Sequence, residues 1–253
     1  MTGFKDHFSR HAALYRRYRP ALPPEVFAWL AGLAPARERA WDAGTGNGQA
    51  ALLLADHFEE VVASDASAAQ IAEATPHPRV RYTVATAEAS GLPDHSVDLA
   101  VSTQALHWFD HDRYYAEVRR VVRPGGVVAG LTYTHPTIDP AIDPLLWRYI
   151  AHVHADWPPE RRFVDAGYTN LPFPFDELAL PAGWALTQAL DLEGFHGYLA
   201  TWSAAQRYLE RTGEDPRAGF YDALVGAWGD PTTTKVVRWP LAGRVGRVLG
   251  SAA

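Results

Sequence analysis

The chain has 253 residues, of which 47% are hydrophobic, enough for one large domain or for a core carrying a lobe. A formal net charge of −6 and 23 basic residues without an extended run argue against a surface that tracks a polyanion, so nucleic acid is not an expected partner. The absence of cysteine removes disulfides and thiolate metal sites, no apolar run approaches the roughly 18 residues of a membrane span, and the segment from Met1 to Phe8 lacks a signal-peptide core. The expectation is a cytoplasmic protein without a membrane partner.

Apolar side chains at Val26, Phe27, Leu30 and Leu33 recur at helical spacing and predict a helix ahead of the first strand. From there the pattern alternates: a short strand at Ala40 and Trp41, a helix over 49–57, a strand over 61–64, a helix over 67–74, then strands over 80–84 and 97–102. Such alternation implies a parallel sheet. A helix over 110–122 sets Tyr114, Val118, Val121 and Val122 on one face, and Pro124-Gly125 turns the chain into a strand over 127–133. Residues 136–174 are broken by Pro140, Pro144, Pro158, Pro159, Pro172 and Pro174 and are expected to form a lid. A strand near 175–180, helices over 192–199, 203–211 and 216–228, and a last strand over 233–239 complete the chain. The division is a core over 1–135 and, in the same domain, lid helices and the last two strands over 136–253.

Between the first strand and its helix stands Trp41-Asp42-Ala43-Gly44-Thr45-Gly46-Asn47-Gly48. Three glycines at alternate positions permit positive φ and close approach to a ligand. A dinucleotide fingerprint begun at Gly44 needs a small residue where Gln49 stands, and no lysine follows to make a phosphate loop. What remains is an acid before the glycines, Asp42, and a second acid, Asp65, ending the next strand, where ribose hydroxyls are accepted in folds of this kind. Two acids suit a cationic, ribose-bearing ligand. Each also has a structural alternative: Asp42 as a backbone acceptor, Asp65 as the N-cap of the following helix.

In this stretch, in Asp98-Leu99-Ala100-Val101, in Gln104-Ala105-Leu106-His107-Trp108-Phe109 and in Arg123-Pro124-Gly125-Gly126, the chain resembles the class I S-adenosylmethionine-dependent methyltransferases. Through Gln104 to Asp110, Thr201-Trp202-Ser203-Ala204 and Arg238-Trp239-Pro240-Leu241 it is similar to the group related to trans-aconitate methyltransferase. The resemblance implies a doubly wound, mostly parallel, seven-stranded Rossmann-like sheet with an antiparallel last strand and a helical lid inserted in the C-terminal half. It implies S-adenosylmethionine as cofactor, S-adenosylhomocysteine as product, and a small-molecule acceptor methylated at a carboxylate or hydroxyl oxygen. Two alternatives stay open: the same fold used for non-methylating chemistry, and a silent binding protein.

The cofactor contacts so implied are Asp42, Gly44, Thr45, Gly46, Gly48, Asp65, Ala66, Gln104 and Trp108, with Tyr18 and Arg19 closing over the cofactor from the run that begins at Tyr15. After the third strand the family's pair of acids is replaced by Thr86-Ala87-Glu88, which leaves adenine to the Thr86 side chain and Ala87 backbone, with Glu88 the weaker candidate. His107 and His135 are candidate bases should the acceptor need deprotonation. His152 and His154, two apart, diverge on a helix, so no metal site is expected. Trp147, Trp157 and Trp202 are expected in packing, with some lining the acceptor pocket. Oligomeric state is not legible.

Overall fold

The computed structural model of the chain describes residues 18–249, so the readings that rest on Met1 to Phe8 and on Tyr15, Arg16 and Arg17 fall outside the described residues. Helix α1 (Pro24–Leu33) begins with Pro24 in its first turn, where no intrahelical N–H bond is lost. Then come β1 (Arg39–Ala43), α2 (Gln49–Ala55), β2 (Glu60–Asp65), α3 (Ala68–Ala72), β3 (Val80–Val84), β4 (Val97–Thr103), a 3₁₀ turn Leu106–Trp108, α4 (His111–Val121) and β5 (Val122–Tyr133). The second half carries α5 (Asp143–His152), α6 (Arg161–Asp165), β6 (Asp176–Leu178), β7 (Ala185–Leu190), α7 (Leu192–Ala200), α8 (Ser203–Thr212), α9 (Ala218–Trp228) and β8 (Lys235–Arg247).

The strand order is β3-β2-β1-β4-β5-β8-β6; β1 to β5 run parallel, and β8 is antiparallel to β5 and β6. This is the doubly wound arrangement expected. Side chains alternate across it with the two-residue period of a strand. Ala40, Val61, Ala63, Leu99, Val101, Val127 and Ala129 join α1 and α2 in one core layer, while Trp41, Val62, Ala100 and Val128 meet α4 in the other. Because both faces are covered, the central strands read as continuous apolar runs.

Two differences from the sequence expectation lie at the C-terminal edge. β7 is an eighth strand, paired from Ala185 to Leu190 with the first half of β8, and β8 extends to Arg247 instead of ending at Trp239. Thr187 and Gln188 blur the apolar pattern of β7. The second half of β8, Leu241-Ala242-Gly243-Arg244-Val245-Gly246-Arg247, holds residues depleted in strands, yet it pairs with β5 through its whole length. Pairing partners on both sides override local propensity there. A further core, formed by α5, α7, α8, α9 and the paired halves of β7 and β8, includes Tyr149, Phe195, Tyr198, Trp202, Trp228 and Trp239. Among the described residues no helix is long and apolar enough to cross a membrane.

Candidate active site

Chain order reverses at β1, which has β2 on one side and β4 on the other. Doubly wound sheets leave a crevice beyond the carboxyl ends of the strands at such a switch. The glycine turn follows β1 and Gln104 to Trp108 follows β4, so both flank it.

All three turn glycines have left-handed backbone, with φ of 71° at Gly44, 57° at Gly46 and 90° at Gly48. They do not all clear space for a ligand. A Cβ on Gly44 would lie 2.6 Å from the Ala105 Cβ, and one on Gly48 2.4 Å from the Tyr82 hydroxyl, so these two admit the protein's own side chains. At Gly46 the first atom met is Gln70 Oε1 at 3.9 Å, which makes it the glycine of the three that faces open space. The turn is held to β2 by Gly44 and Thr45 N–H groups, both donating to Ser64 O at 2.8 and 3.0 Å.

Asp42 is buried beneath this turn. The Thr45 hydroxyl donates to its Oδ2 at 2.5 Å, while its Oδ1 has no hydrogen-bond partner among the described residues. Burial, reinforced by the nearby charge of Asp65 and opposed by the Thr45 bond, pushes the Asp42 carboxyl up to about 7. Asp65 accepts from Gly46 N at 2.9 Å through Oδ2 and from Ser67 N at 2.8 Å through Oδ1. The N-cap of α3 is Ser67, whose hydroxyl accepts from Gln70 N, so Asp65 does not cap that helix. Ala66 is half-buried between the two.

Beyond β3, Thr86 is exposed, Ala87 is packed in the α4-side core, and Glu88 accepts from Asp110 N at 3.0 Å. Glu88 thereby ties this loop to the start of α4. Gln104, the residue after β4, has φ of 57°, an uncommon conformation for a residue with a side chain. Its amide is fixed by β5: Nε2 donates to Tyr133 O at 3.3 Å and Oε1 accepts from the Thr132 hydroxyl at 3.0 Å.

Gln104, His107 and Trp108 form one wall of a narrow cleft of about 70 Å³ that is open to solvent. Tyr133 and His135 bring the end of β5 to it, and Trp157, Arg161, Tyr198 and Trp202 close it from the C-terminal helices. Arg19 enters the lining from the N-terminal side, where Nη1 donates to the Tyr133 hydroxyl at 3.0 Å and Nη2 to Thr201 O at 3.2 Å, with the guanidinium 5.4 Å from the Tyr198 ring centre. Tyr18 lies against Gly197 of α7, where a Cβ would come within 2.6 Å of its ring. Tyr18 and Arg19 thus form a strap over the C-terminal helices.

His107 is largely buried, and burial together with the charges of Arg161 and His111 lowers its imidazole to about 3, so the ring is neutral near pH 7. His135 is also pushed down by burial and Arg161, against the opposing pull of Asp165. Its Nε2 lies 3.3 Å from Asp165 Oδ1, and Arg161 Nη2 lies 3.0 Å from Nε2 and 3.1 Å from Nδ1. Arg161 is further held by its Nε bond to Asp165 at 2.7 Å and by the Trp157 ring, 4.2 Å below its guanidinium. Among the described residues no cluster of three or more His, Cys, Asp or Glu could hold a metal ion.

A methyltransferase domain model matches residues 41–130, the segment from the glycine turn to β5. The chain is 31% identical over 213 residues to the malonyl-[acyl-carrier protein] O-methyltransferase of Enterobacter lignolyticus, covering 81% of each chain. A solved structure described as a candidate type II methyltransferase from Anaeromyxobacter dehalogenans superposes with a TM-score of 0.86 at 49% identity, covering 92% of this chain and 99% of that one. The chain belongs to the class I S-adenosylmethionine-dependent methyltransferases. A candidate methyltransferase of Dictyostelium discoideum is similar over nearly the whole length, 27% identical across 90% of this chain and 88% of its own.

The structure brings the methyltransferase's expected residues together in two groups: Asp42, Thr45, Gly46, Asp65 and Ala66 around the turn, and Arg19, Gln104, His107, Trp108 and His135 around the cleft. Ala105, packed on Gly44, joins them. Arg161, Asp165, Tyr133 and Tyr168 went unrecognised in the sequence. None stands in a spaced motif, and the arginine acquires its place through contacts with Asp165, Trp157 and His135.

Proposed function

We propose that the protein methylates a carboxylate oxygen of a small molecule bound in the cleft, in keeping with the group related to trans-aconitate methyltransferase. The observation that carries this reading is the lining: two guanidinium groups, Arg19 and Arg161, and no Asp or Glu among the described lining residues. Two cations suit two carboxylates, that of the cofactor's amino-acid end at Arg19 and that of the acceptor at Arg161. The name of the Enterobacter relative, an O-methyltransferase, agrees.

The turn fits the cofactor. The Oδ1 of Asp42, without a hydrogen-bond partner among the described residues, lies where a cationic group can be met directly or through water, Gly46 leaves room for a close approach, and Asp65 can exchange its backbone partners for ribose hydroxyls. Thr86 and the Ala87 backbone would read adenine, and Gln104 and Trp108 would wall the amino-acid end. Bound S-adenosylmethionine supplies a sulfonium methyl: an oxygen lone pair forms the C–O bond as the C–S pair withdraws to sulfur, and no proton need move. The chain's share is alignment, which Gln104 and Arg161 provide because both are fixed by their own bonds.

The test is incubation with methyl-labelled S-adenosylmethionine and a panel of small carboxylic acids, phenols and amines. Label is expected in acids as a base-labile ester. Label confined to phenols, amines or carbon overturns the reading.

A further inference from the structure

After α6 the backbone turns left-handed at two successive residues, Gly167 with φ of 59° and Tyr168 with φ of 67°. Glycine is needed first, since a Cβ there would approach Ala242 Cβ to 2.8 Å. Tyrosine, with its Cβ, is strained in this region. The strained pair is secured by Tyr168 N–H donating to Phe163 O at 2.8 Å, and its outcome is a phenol fully buried in the α4-side core. There the hydroxyl lies 2.8 Å from His107 Nδ1. Strain of this kind persists where surrounding structure enforces it, and clusters at functional sites.

His107 lines the cleft, and its Nε2 makes no hydrogen bond among the described residues. A neutral imidazole carries one ring proton, and its position is set by what the other nitrogen binds. We propose that Tyr168 donates its hydroxyl proton to Nδ1 and so locks His107 as the Nε2–H tautomer, a fixed donor aimed at the acceptor's oxygen instead of a base. Nδ1 at 2.8 Å is the hydrogen-bond partner the phenol has among the described residues, and a phenol O–H is a stronger donor than an imidazole N–H. The cationic neighbours, Arg161 and His111, disfavour a second ring proton. A nitrogen that already bears a proton cannot take one, so His107 does not deprotonate the acceptor. The acceptor's identity rests on the reading above; the tautomer does not. Tyr168 is the positioning residue of the pair.

The test begins with the resting protein labelled with ¹⁵N-histidine and no acceptor. Long-range ¹H–¹⁵N correlation is expected to show Nδ1 bare and Nε2 protonated for His107, without titration between about pH 5 and 8. A protonated Nδ1, or a titration inside that range, overturns the proposal. Two variants read the consequence. His107→Gln, whose amide N–H stands near the Nε2–H position, should retain activity well above that of His107→Leu. Tyr168→Phe should mix the tautomers and lower kcat/KM about tenfold, the scale of one hydrogen bond. Equal loss in the glutamine and leucine variants, with a pH profile rising through neutrality in the wild type, restores a base and sinks the donor role. If Tyr168→Phe does not fold, the wild-type spectrum decides alone. Failure of the acid panel with the expected spectrum overturns only the acceptor assignment.

Discussion

Asp42 provides a quantitative test through the pH dependence of both folding and cofactor binding. Its carboxyl stands at about 7 against an ordinary 3.8, because burial penalises the charge more than the Thr45 hydroxyl relieves it. A difference of about three pH units corresponds to about 4 kcal/mol between the protonation states. The native state therefore holds a proton that the unfolded chain gives up above about pH 4, and the sign follows: the contribution is present in acid and is lost as pH rises through 7. Urea unfolding of the unliganded wild type and of Asp42→Asn, compared at intervals from about pH 4 to 8, should show the variant gaining on the wild type by up to about 4 kcal/mol across that window, most of it between about pH 4 and 7. Subtracting the two curves removes the histidines, whose depressed values act in the opposite direction below about 6.5. Cofactor binding adds a second arm. A cation beside the carboxyl favours its ionised form, so binding near pH 6 should release most of one proton, and wild-type affinity should rise about tenfold from pH 6 to 8. Calorimetry in two buffers of different ionisation enthalpy counts that proton. Parallel stability curves for the two proteins, or equal proton release in Asp42→Asn, would refute the reasoning.

The glycines separate packing from ligand space. Gly44→Ala places a Cβ 2.6 Å from Ala105 at φ of 71° and should lower unfolding stability by about 2–4 kcal/mol. Gly46→Ala, free to 3.9 Å, should cost only about 1–2 kcal/mol yet weaken cofactor affinity at least tenfold. Urea midpoints and calorimetric titration compare them, and the reverse order would show that the open side of Gly46 is not the ligand's. Asp98, fully buried, accepts from Glu38 N, Arg39 N and Arg123 Nη1, so Asp98→Ala should lose about 3–5 kcal/mol by thermal or urea unfolding. A loss below about 1 kcal/mol would mean that water replaces the carboxylate.

The parallel half of the fold was legible because its central strands, buried on both faces, advertise themselves as runs of Val, Ala and Leu, and because helices separate most of the strands. The turn after β1 was legible for a similar reason: Gly44, Gly46 and Gly48 have few roles compatible with their spacing. Their division of labour was not, since it depends on Ala105 and Tyr82, 61 and 34 residues onward respectively, arriving at those positions. The cleft was half legible. Gln104, His107 and Trp108 follow a recognisable strand, whereas Arg161 lies in a proline-rich stretch and becomes significant only when β5 and α6 meet. His107 illustrates the limit most plainly, because its hydrogen-bond partner at position 168 stands 61 residues away with no motif around it.

β8 has one half bound to β7 and the other clasped between β5 and β6. A single continuous ribbon thus belongs to two interiors at once, with Pro240 at the crossing, where the chain offers no N–H of its own. Neither interior can be dismantled without pulling on the other, so the roof above the cleft and the floor beneath it are expected to melt as one unit, and any deletion at the C-terminal end that removes this ribbon takes both.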